Sequence, residues 1–556
     1  MSFISSLFRR LRPSWIVVII FVVALIPRGI GLGNYLPDDF HPDEDKEIRR
    51  ALQMMRGNLD LGRMHKGTLF MALAGEYGGL FVAGKLTGRW NSPDDFAKKV
   101  IVGDHTPLFV LSRWTVAILG ALGAVLAFLL TRRHAGLLAG LMAAGLVAFF
   151  PEHLLMSREG RLDVPLCFAV LLLLERSAAA WRNPTQLRVL VAVACAGMVV
   201  STKTSGAPYL IALIPGFFTW MLADERWGQR FLRLGMGFGT GLLSTIVFNH
   251  SLPYSLVMGQ GDRALPDLTD QYQGAPPSRV EHYINQPIHQ AGVVALLLAL
   301  AGLFFLIKRG SFQAKVNGLL WAGAVLLQGA MLWSVADLVA FRYLLPGMLV
   351  LLVLAAIGAR HLVQLLPKGM PRWVGLGVLA AIALFSPFRQ SMDRLRVALL
   401  PSVPVAAREW IEANVPAGSG VLLDGRNVFP SLYMPKLNQT KESLEAKIEG
   451  IRESEPGKAS LLERYWIPTL QEPGYDIELY QVSRALPTAD ELRGRGIRYV
   501  VLQDVDYGLG DDHPLAGARS SLASLLQARG VKELQRFDGG GVERRGAALT
   551  IYDLGG

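Results

Sequence analysis

Apolar residues in this chain run in long unbroken stretches, and eleven of these approach the roughly 17 to 25 residues that a helix needs to cross a bilayer core. They fall at 15 to 33, 109 to 130, 135 to 151, 164 to 178, 187 to 202, 207 to 222, 231 to 249, 290 to 307, 316 to 335, 343 to 359 and 373 to 388. A polytopic α-helical membrane protein of about 11 transmembrane helices follows. Its first outer loop spans 34–108 and its second 251–289, so residues 1–388 form one membrane module. After 388 the pattern changes. Helix-like stretches (Val405 to Asn414, Lys441 to Arg452, Ser520 to Arg529) alternate with strand-like runs (Gly420 to Leu423, Ile497 to Leu502, Ala547 to Tyr552), which predicts a C-terminal α/β domain over 389–556.

Composition agrees with the pattern. Of 556 residues 51% are hydrophobic and 18% charged, with mean hydropathy +0.33, too apolar for a soluble enzyme of this length. The net charge of +11 is explained by topology. Arg9, Arg10 and Arg12 precede the first span and place the N-terminus in the cytoplasm. No small-residue cleavage site follows that span, so it reads as a retained helix. Arg132 and Arg133, Arg176, Arg182 and Arg188, Arg226, Arg230 and Arg233, Lys308, Arg309 and Lys315, then Arg360, Lys368 and Arg372 all fall in alternate, inner loops. The basic excess is an orientation signal and a contact for membrane lipids, which leaves no role for nucleic acid. The same parity puts the C-terminal domain outside. It also makes Thr68 to Leu86, which contains Glu76 and Lys85, a helix lying in the outer interface.

Candidate chemistry gathers on the outer side. The segment Pro37-Asp38-Asp39-Phe40-His41-Pro42-Asp43-Glu44-Asp45 comes after the first span. Pro42 suits the first position of a helix, whose inward face is Ile48, Ala51, Leu52 and Met55. Asp43 and Glu44 then stand in its first turn, where the helix end favours the ionised form. A second acidic stretch, Pro151-Glu152 to Asp163-Val164-Pro165, lies on the same side. Asp163 borders an apolar span, so it needs a partner or a polar cavity; Arg158 and Arg161 are the structural partners in reach. Lys66, Lys203 and Arg342 are isolated cations at the outer interface, suited to a phosphate that gains charge as it leaves. His41, His65 and His153 lack metal-ligand spacing, as do Cys167 and Cys195, which read as core residues. Gly418-Ser419-Gly420 lacks the rest of a phosphate-binding loop and faces a compartment without nucleotide. The outer stretch 262 to 289, with Pro266, Pro276, Pro277 and Pro287, reads as a flap.

Taken in order, His41-Pro42-Asp43-Glu44, the Lys66-led juxtamembrane helix, the Asp163 motif, the Lys203 turn and Arg342-Tyr343-Leu344-Leu345-Pro346 resemble the GT-C superfamily. The chain is more narrowly similar to bacterial phospholipid-carrier-dependent glycosyltransferases related to protein O-mannosyltransferases and the lipid A aminoarabinose transferase. The likeness covers roughly residues 10 to 390. It implies an inverting glycosyltransferase of the bacterial inner membrane that moves a sugar from a polyprenyl-phosphate donor to a lipid, glycan or protein acceptor, through its hydroxyl or phosphate, at the periplasmic face. By the resemblance Asp43, Glu44 and Asp163 are catalytic, and Lys66, with Lys203 and Arg342, binds the donor phosphate. A divalent metal ion on Asp43, His65 and Asp163 is the cofactor it allows. The aminoarabinose transferases place an acid where this chain has His65, and histidine can ligate a borderline metal. The competing class is a transporter or flippase of a lipid-linked or anionic solute, against which stand the one-sided charges and the lack of paired broken helices. A shared site requires Asp43 and Asp163 to lie within roughly 15 Å of each other.

Overall fold

The computed structural model of the chain describes residues 13–36, 40–57, 67–223, 226–249, 279–334, 340–367, 371–423, 434–453, 459–460, 462–479, 487–504, 528–539 and 548–555. Lys66, His65, Asp38, Asp39 and most of the second outer loop lie outside them.

The first part is a helical bundle. Its elements are α1 (Pro13–Gly29), α2 (Pro42–Met55), α3 (Gly67–Leu86), α4 (Thr106–Ala135), α5 (Leu137–Ala148), α6 (Pro151–Met156), α7 (Asp163–Arg182) and α8 (Gln186–Thr202). A 3-10 stretch, Thr204–Leu213, leads into α9 (Ile214–Leu222), and α10 (Trp227–Phe248), α11 (Gln286–Ala291), α12 (Val293–Arg309), α13 (Phe312–Ser334), α14 (Leu345–Val363) and α15 (Arg372–Leu399) come next. Among the described residues seven helices are long and apolar enough to cross a membrane, or up to 8 if the pair bent by 95° at Gly292 is one span. Three shorter apolar helices, α1, α5 and α8, occupy the other expected positions. Every expected run therefore coincides with a helix, while the expected number of about 11 is not reached by length and composition. The Thr68 to Leu86 run forms α3, which packs on α2 and is not among the candidate spans.

Burial within the bundle separates helices of similar sequence character. In α14 every residue from Leu345 to Ala359 except Leu351 is buried, as expected of a helix apolar all round at the centre of a bundle. It packs closely on α12, where a Cβ at Gly302 would run into the Leu354 carbonyl and one at Gly358 into that of Leu298. By contrast α10 buries only Gly237 and Ser244 and turns Phe231, Phe238 and Leu243 outward.

The expected domain boundary at 388 falls inside α15, which continues to Leu399. Beyond it a six-stranded sheet has the order β2-β3-β1-β4-β6-β5. Its strands are β1 (Gly420–Leu423), β2 (Asn438–Gln439), β3 (Gly474–Leu479), β4 (Ile497–Asp504), β5 (Lys532–Phe537) and β6 (Ala548–Asp553). The first four run parallel, and β6 is antiparallel to both β4 and β5. Side chains alternate between the two faces. Val421, Leu423, Tyr499 and Val501 pack on one side with α16 (Val403–Asn414), and Leu422, Val500 and Leu502 on the other with α18 (Ala489–Gly494). The helix α17 (Lys441–Ile451) was expected, as were β1, β4 and β6; β3, β5 and α18 were not. The expected helix at Ser520 to Arg529 lies almost wholly outside the described residues.

Candidate active site

The Asp43 loop is built around the start of α2. Pro42 stands at its first position and His41 is the N-cap: His41 Nδ1 accepts from the Asp43 N–H at 3.1 Å, and the His41 N–H donates to Glu44 Oε2 at 2.9 Å. Ile48, Ala51 and Leu52 are buried and Met55 packs on the core, which fixes the rotation of the helix as the apolar spacing required. Asp43 and Glu44 are adjacent, yet their environments differ completely.

Glu44 is fully buried. Oε1 accepts from Arg113 Nε and the Gly160 N–H, each at 2.8 Å, while Oε2 accepts from Arg113 Nη2 at 3.0 Å and from His41. Burial pushes its carboxyl up, but the Arg113 charge and these hydrogen bonds hold it below the ordinary glutamate value. Four bonds saturate the carboxylate, so it has no lone pair left for a substrate proton. Gly160 fits this junction because a Cβ there would strike Ser112 Oγ and stand 3.5 Å from Glu44 Oε1. The result ties the Asp43 loop to the segment carrying Arg161 and Asp163.

The Asp43 carboxylate is 30% exposed and takes no hydrogen bond among the described residues. Four cationic or titratable groups stand around it: Arg161 Nη2 at 3.4 Å, His41 Nδ1 at 3.7 Å, and Lys46 Nζ and Arg342 Nη2 each at 3.8 Å. Burial raises its pKa, but Arg161 first, then His41, Arg342 and Lys46, bring it net below the usual aspartate value. It is an ionised carboxylate with vacant lone pairs.

Arg161 joins the two acidic motifs. Its side chain is only 4% exposed; Nη1 donates to Glu159 at 2.8 Å, and Nη2 lies 3.4 Å from Asp43 Oδ2 and 3.7 Å from Asp163 Oδ2. The two carboxylates therefore cannot be further apart than the sum of those distances, well inside the limit for a shared site. Asp163, at the first turn of α7, also accepts from Lys203 Nζ at 2.8 Å. Lys203 and Arg342 both approach the ring of Tyr343, at 4.3 Å and 5.2 Å from its centroid. The Tyr343 backbone is itself fixed by Gln328, which donates to its carbonyl at 2.9 Å.

Of the expected residues, Asp43, Asp163, Lys203 and Arg342 come together, Glu44 sits behind them, and Lys66 and His65 lie outside the described residues. Lys203 is engaged by Asp163 and does not stand alone as expected. Arg158 does not pair with Asp163; its Nη1 bonds the carbonyls of Pro27, Arg28 and Ile30 at the end of α1. Glu152 pairs with Arg394 at 2.8 Å, and His153 contacts Arg28 in the interior at 3.0 Å. Arg161 pairs with Asp163, as one of the two partners in reach, but its place beside Asp43 was not foreseen, and Arg113 was missed altogether. The signal for Arg161 was its position two residues before Asp163; nothing local marks Arg113, a lone arginine in an apolar run.

The described donors do not fit a divalent ion. The space between Asp43 and Asp163 that a cation would bridge is taken by Arg161 Nη2, and a metal there would meet a guanidinium within ion-pairing distance of both carboxylates. No cluster of three or more histidine, cysteine or carboxylate side chains capable of holding a metal occurs among the described residues.

Residues 66–258 match the family described as dolichyl-phosphate-mannose-protein mannosyltransferase. The chain is also similar to the crystal structure of ArnT from Cupriavidus metallidurans bound to undecaprenyl phosphate. The identity is 14%, over 98% of this chain and 100% of that one, with a TM-score of 0.49. The archaeal oligosaccharyltransferase AglB from Archaeoglobus fulgidus, in complex with an inhibitory peptide and a dolichol-phosphate, matches at 13% identity over 88% of this chain and 69% of that one, TM-score 0.46. No curated protein matches the chain in sequence.

Proposed function

We infer that the protein is an inverting glycosyltransferase that takes a sugar from a polyprenyl-phosphate carrier at the outer face of the bacterial cytoplasmic membrane. Support comes from the family match over 66–258 and from one observation above the others: among the described residues, Asp43 is an ionised carboxylate without a hydrogen bond, beside a buried guanidinium nitrogen, Arg161 Nη2, that likewise has no hydrogen-bond partner. A base with vacant lone pairs next to cationic donors is what sugar transfer from a phosphate needs.

The acceptor O–H gives its proton to Asp43 Oδ, and the freed oxygen lone pair bonds to the anomeric carbon from the face opposite the phosphate. The bond from that carbon to the donor phosphate oxygen breaks, and its electron pair stays on the phosphate. Arg342, whose Nε is buried without a hydrogen-bond partner among the described residues, and Arg161 Nη2 would stabilise the charge that develops, a role that Lys66 shares in the resemblance. Direct displacement inverts the centre; retention would need a nucleophilic carboxylate on the far side. Lys203 then holds Asp163 in place, and Glu44 positions the loop. Activation resides in the donor lipid, so no nucleotide takes part. The acceptor is a lipid, glycan or protein. The positive loops place the N-terminus in the cytoplasm and the C-terminal domain in the periplasm.

The test is carrier release. Purified protein supplied with a polyprenyl-phosphate sugar and a membrane extract as acceptor source should liberate free polyprenyl phosphate, and Asp43→Asn should not. Equal release by both variants removes Asp43 from catalysis. Movement of intact donor across a sealed vesicle without release favours the transporter reading.

A further inference from the structure

The C-terminal domain touches the first outer loop beside the catalytic turn. Lys436, half-buried and two residues before β2, places Nζ 3.7 Å from the centroid of the Phe40 ring. Phe40 also packs on Phe109 of α4, with centroids 4.5 Å apart, and lies edge-to-face with His105 at 6.3 Å. One aromatic side chain is thus held by the membrane module and by the C-terminal domain. A second link, Arg464 Nη2 to Asp94 Oδ1 at 2.8 Å, is exposed and lies further from the site.

Phe40 adjoins the cap of the catalytic helix. Its neighbour is His41, whose ring and N–H hold the backbone of Asp43 and the side chain of Glu44. The Asp43 carboxylate has no hydrogen bond of its own among the described residues, so its place is set by the backbone from 40 to 44. Glu44 anchors that turn at one end through Arg113 and Gly160. Phe40 anchors it at the other. A misplacement of about 1 Å in a reacting group is enough to cost roughly a hundredfold in rate.

We propose that Lys436 is a positioning residue: through its cation–π contact with Phe40 the C-terminal domain holds the turn that presents Asp43, and so completes a site lying in the membrane module. The proposal rests on the transferase reading for its effect on rate, but the contact can be tested without it. A partly desolvated ammonium over a ring face shifts a local opening equilibrium roughly three- to tenfold. In the full-length protein in lipid nanodiscs, amide hydrogen exchange at residues 41–46 should quicken by about that factor in Lys436→Met and in Phe40→Leu. Lys436→Arg, which keeps a cation over the ring, should restore the wild-type rate. Combining Lys436→Met with Phe40→Leu should add little to either alone. With a polyprenyl-phosphate sugar, Lys436→Met should lower kcat while leaving donor KM unchanged, and Lys436→Arg should recover it.

Exchange at 41–46 that is unchanged in Lys436→Met overturns the proposal, whatever happens to turnover. So does faster exchange with unchanged kcat, or an effect confined to the KM for acceptor, which would make Lys436 a binding residue. If wild type itself releases no carrier, the transferase reading fails while the exchange data still decide whether Lys436 holds the turn.

Discussion

Replacing Glu44 by alanine should be among the most damaging single changes in the membrane module, although the residue never meets substrate. Its carboxylate is wholly buried, the Arg113 side chain is 9% exposed, and the substitution deletes four hydrogen bonds. Removing one partner of a buried ion pair typically costs about 3 to 5 kcal/mol, because the remaining charge keeps its desolvation penalty and loses its compensation. Thermal melts in detergent should show the midpoint falling by roughly 3 to 6 °C for Glu44→Ala. Arg113→Met should cost a similar amount. The double variant Glu44→Ala with Arg113→Met removes both charges and should lose far less than the two singles together, with a coupling of about 2 kcal/mol or more. Activity should behave differently: the double variant recovers stability but stays nearly inactive, since the tie between the Asp43 loop and Gly160 is gone. The pH dependence has a definite sign. The folded pKa of Glu44 is depressed, so its contribution is complete above the unfolded value of about 4.3 and is lost as pH falls through the folded value. Additive losses in the cycle, or a stable Glu44→Ala protein, would refute the reasoning.

Other variants probe the same geometry. Asp43→Asn should lower turnover by roughly a hundred- to ten-thousandfold, the usual weight of a general base, with a melting midpoint close to wild type because its carboxylate takes no hydrogen bond among the described residues. The acid limb of the pH–rate profile should lie below the ordinary aspartate value of about 3.9, and Arg161→Gln should move it upward, because the leading charge that offsets burial of Asp43 is removed. Gly160→Ala should reduce both stability and turnover, since its methyl meets Ser112 and crowds Glu44; a silent variant would show that the α6–α7 segment yields freely. Lys203→Met should destabilise the module by about 3 kcal/mol or more by stranding Asp163, and the loss should shrink when Asp163→Asn is added.

Much of this was legible in the chain. Pro42 and the spacing of Ile48, Ala51 and Leu52 gave the start and rotation of α2, and hence the first-turn position of Asp43. Each long apolar run coincides with a helix of the bundle, although the short α6 and α11 were not foreseen. They did not show which helices are central, because a helix packed among helices and one facing lipid are equally apolar: α14 is buried all round and α10 almost nowhere. Short strands were also hidden. The β3 run Gly474–Leu479 contains Asp476 and Glu478, which offset its apolar alternation, and Lys532–Phe537 is an edge strand largely open to solvent.

The separation of Asp43 from Glu44 was equally beyond the sequence, and it changes what a pair of adjacent acids means. Side chains at consecutive helical positions diverge by about 100°, so two neighbours cannot face the same partner. One turns inward to Arg113 and Gly160, and the other is left partly exposed. The inward residue needs full compensation because it has no water, while the outward one keeps free lone pairs because it has some. Arg161 carries the same logic across the site. Each acid near it already has a cation within ion-pairing distance, yet its Nη2 stays between two carboxylates at 3.4 and 3.7 Å, too long for hydrogen bonds to either. A nitrogen so placed, buried and without a hydrogen bond among the described residues, suits the oxygen that a donor phosphate would bring in the proposed reaction better than it suits a metal ion.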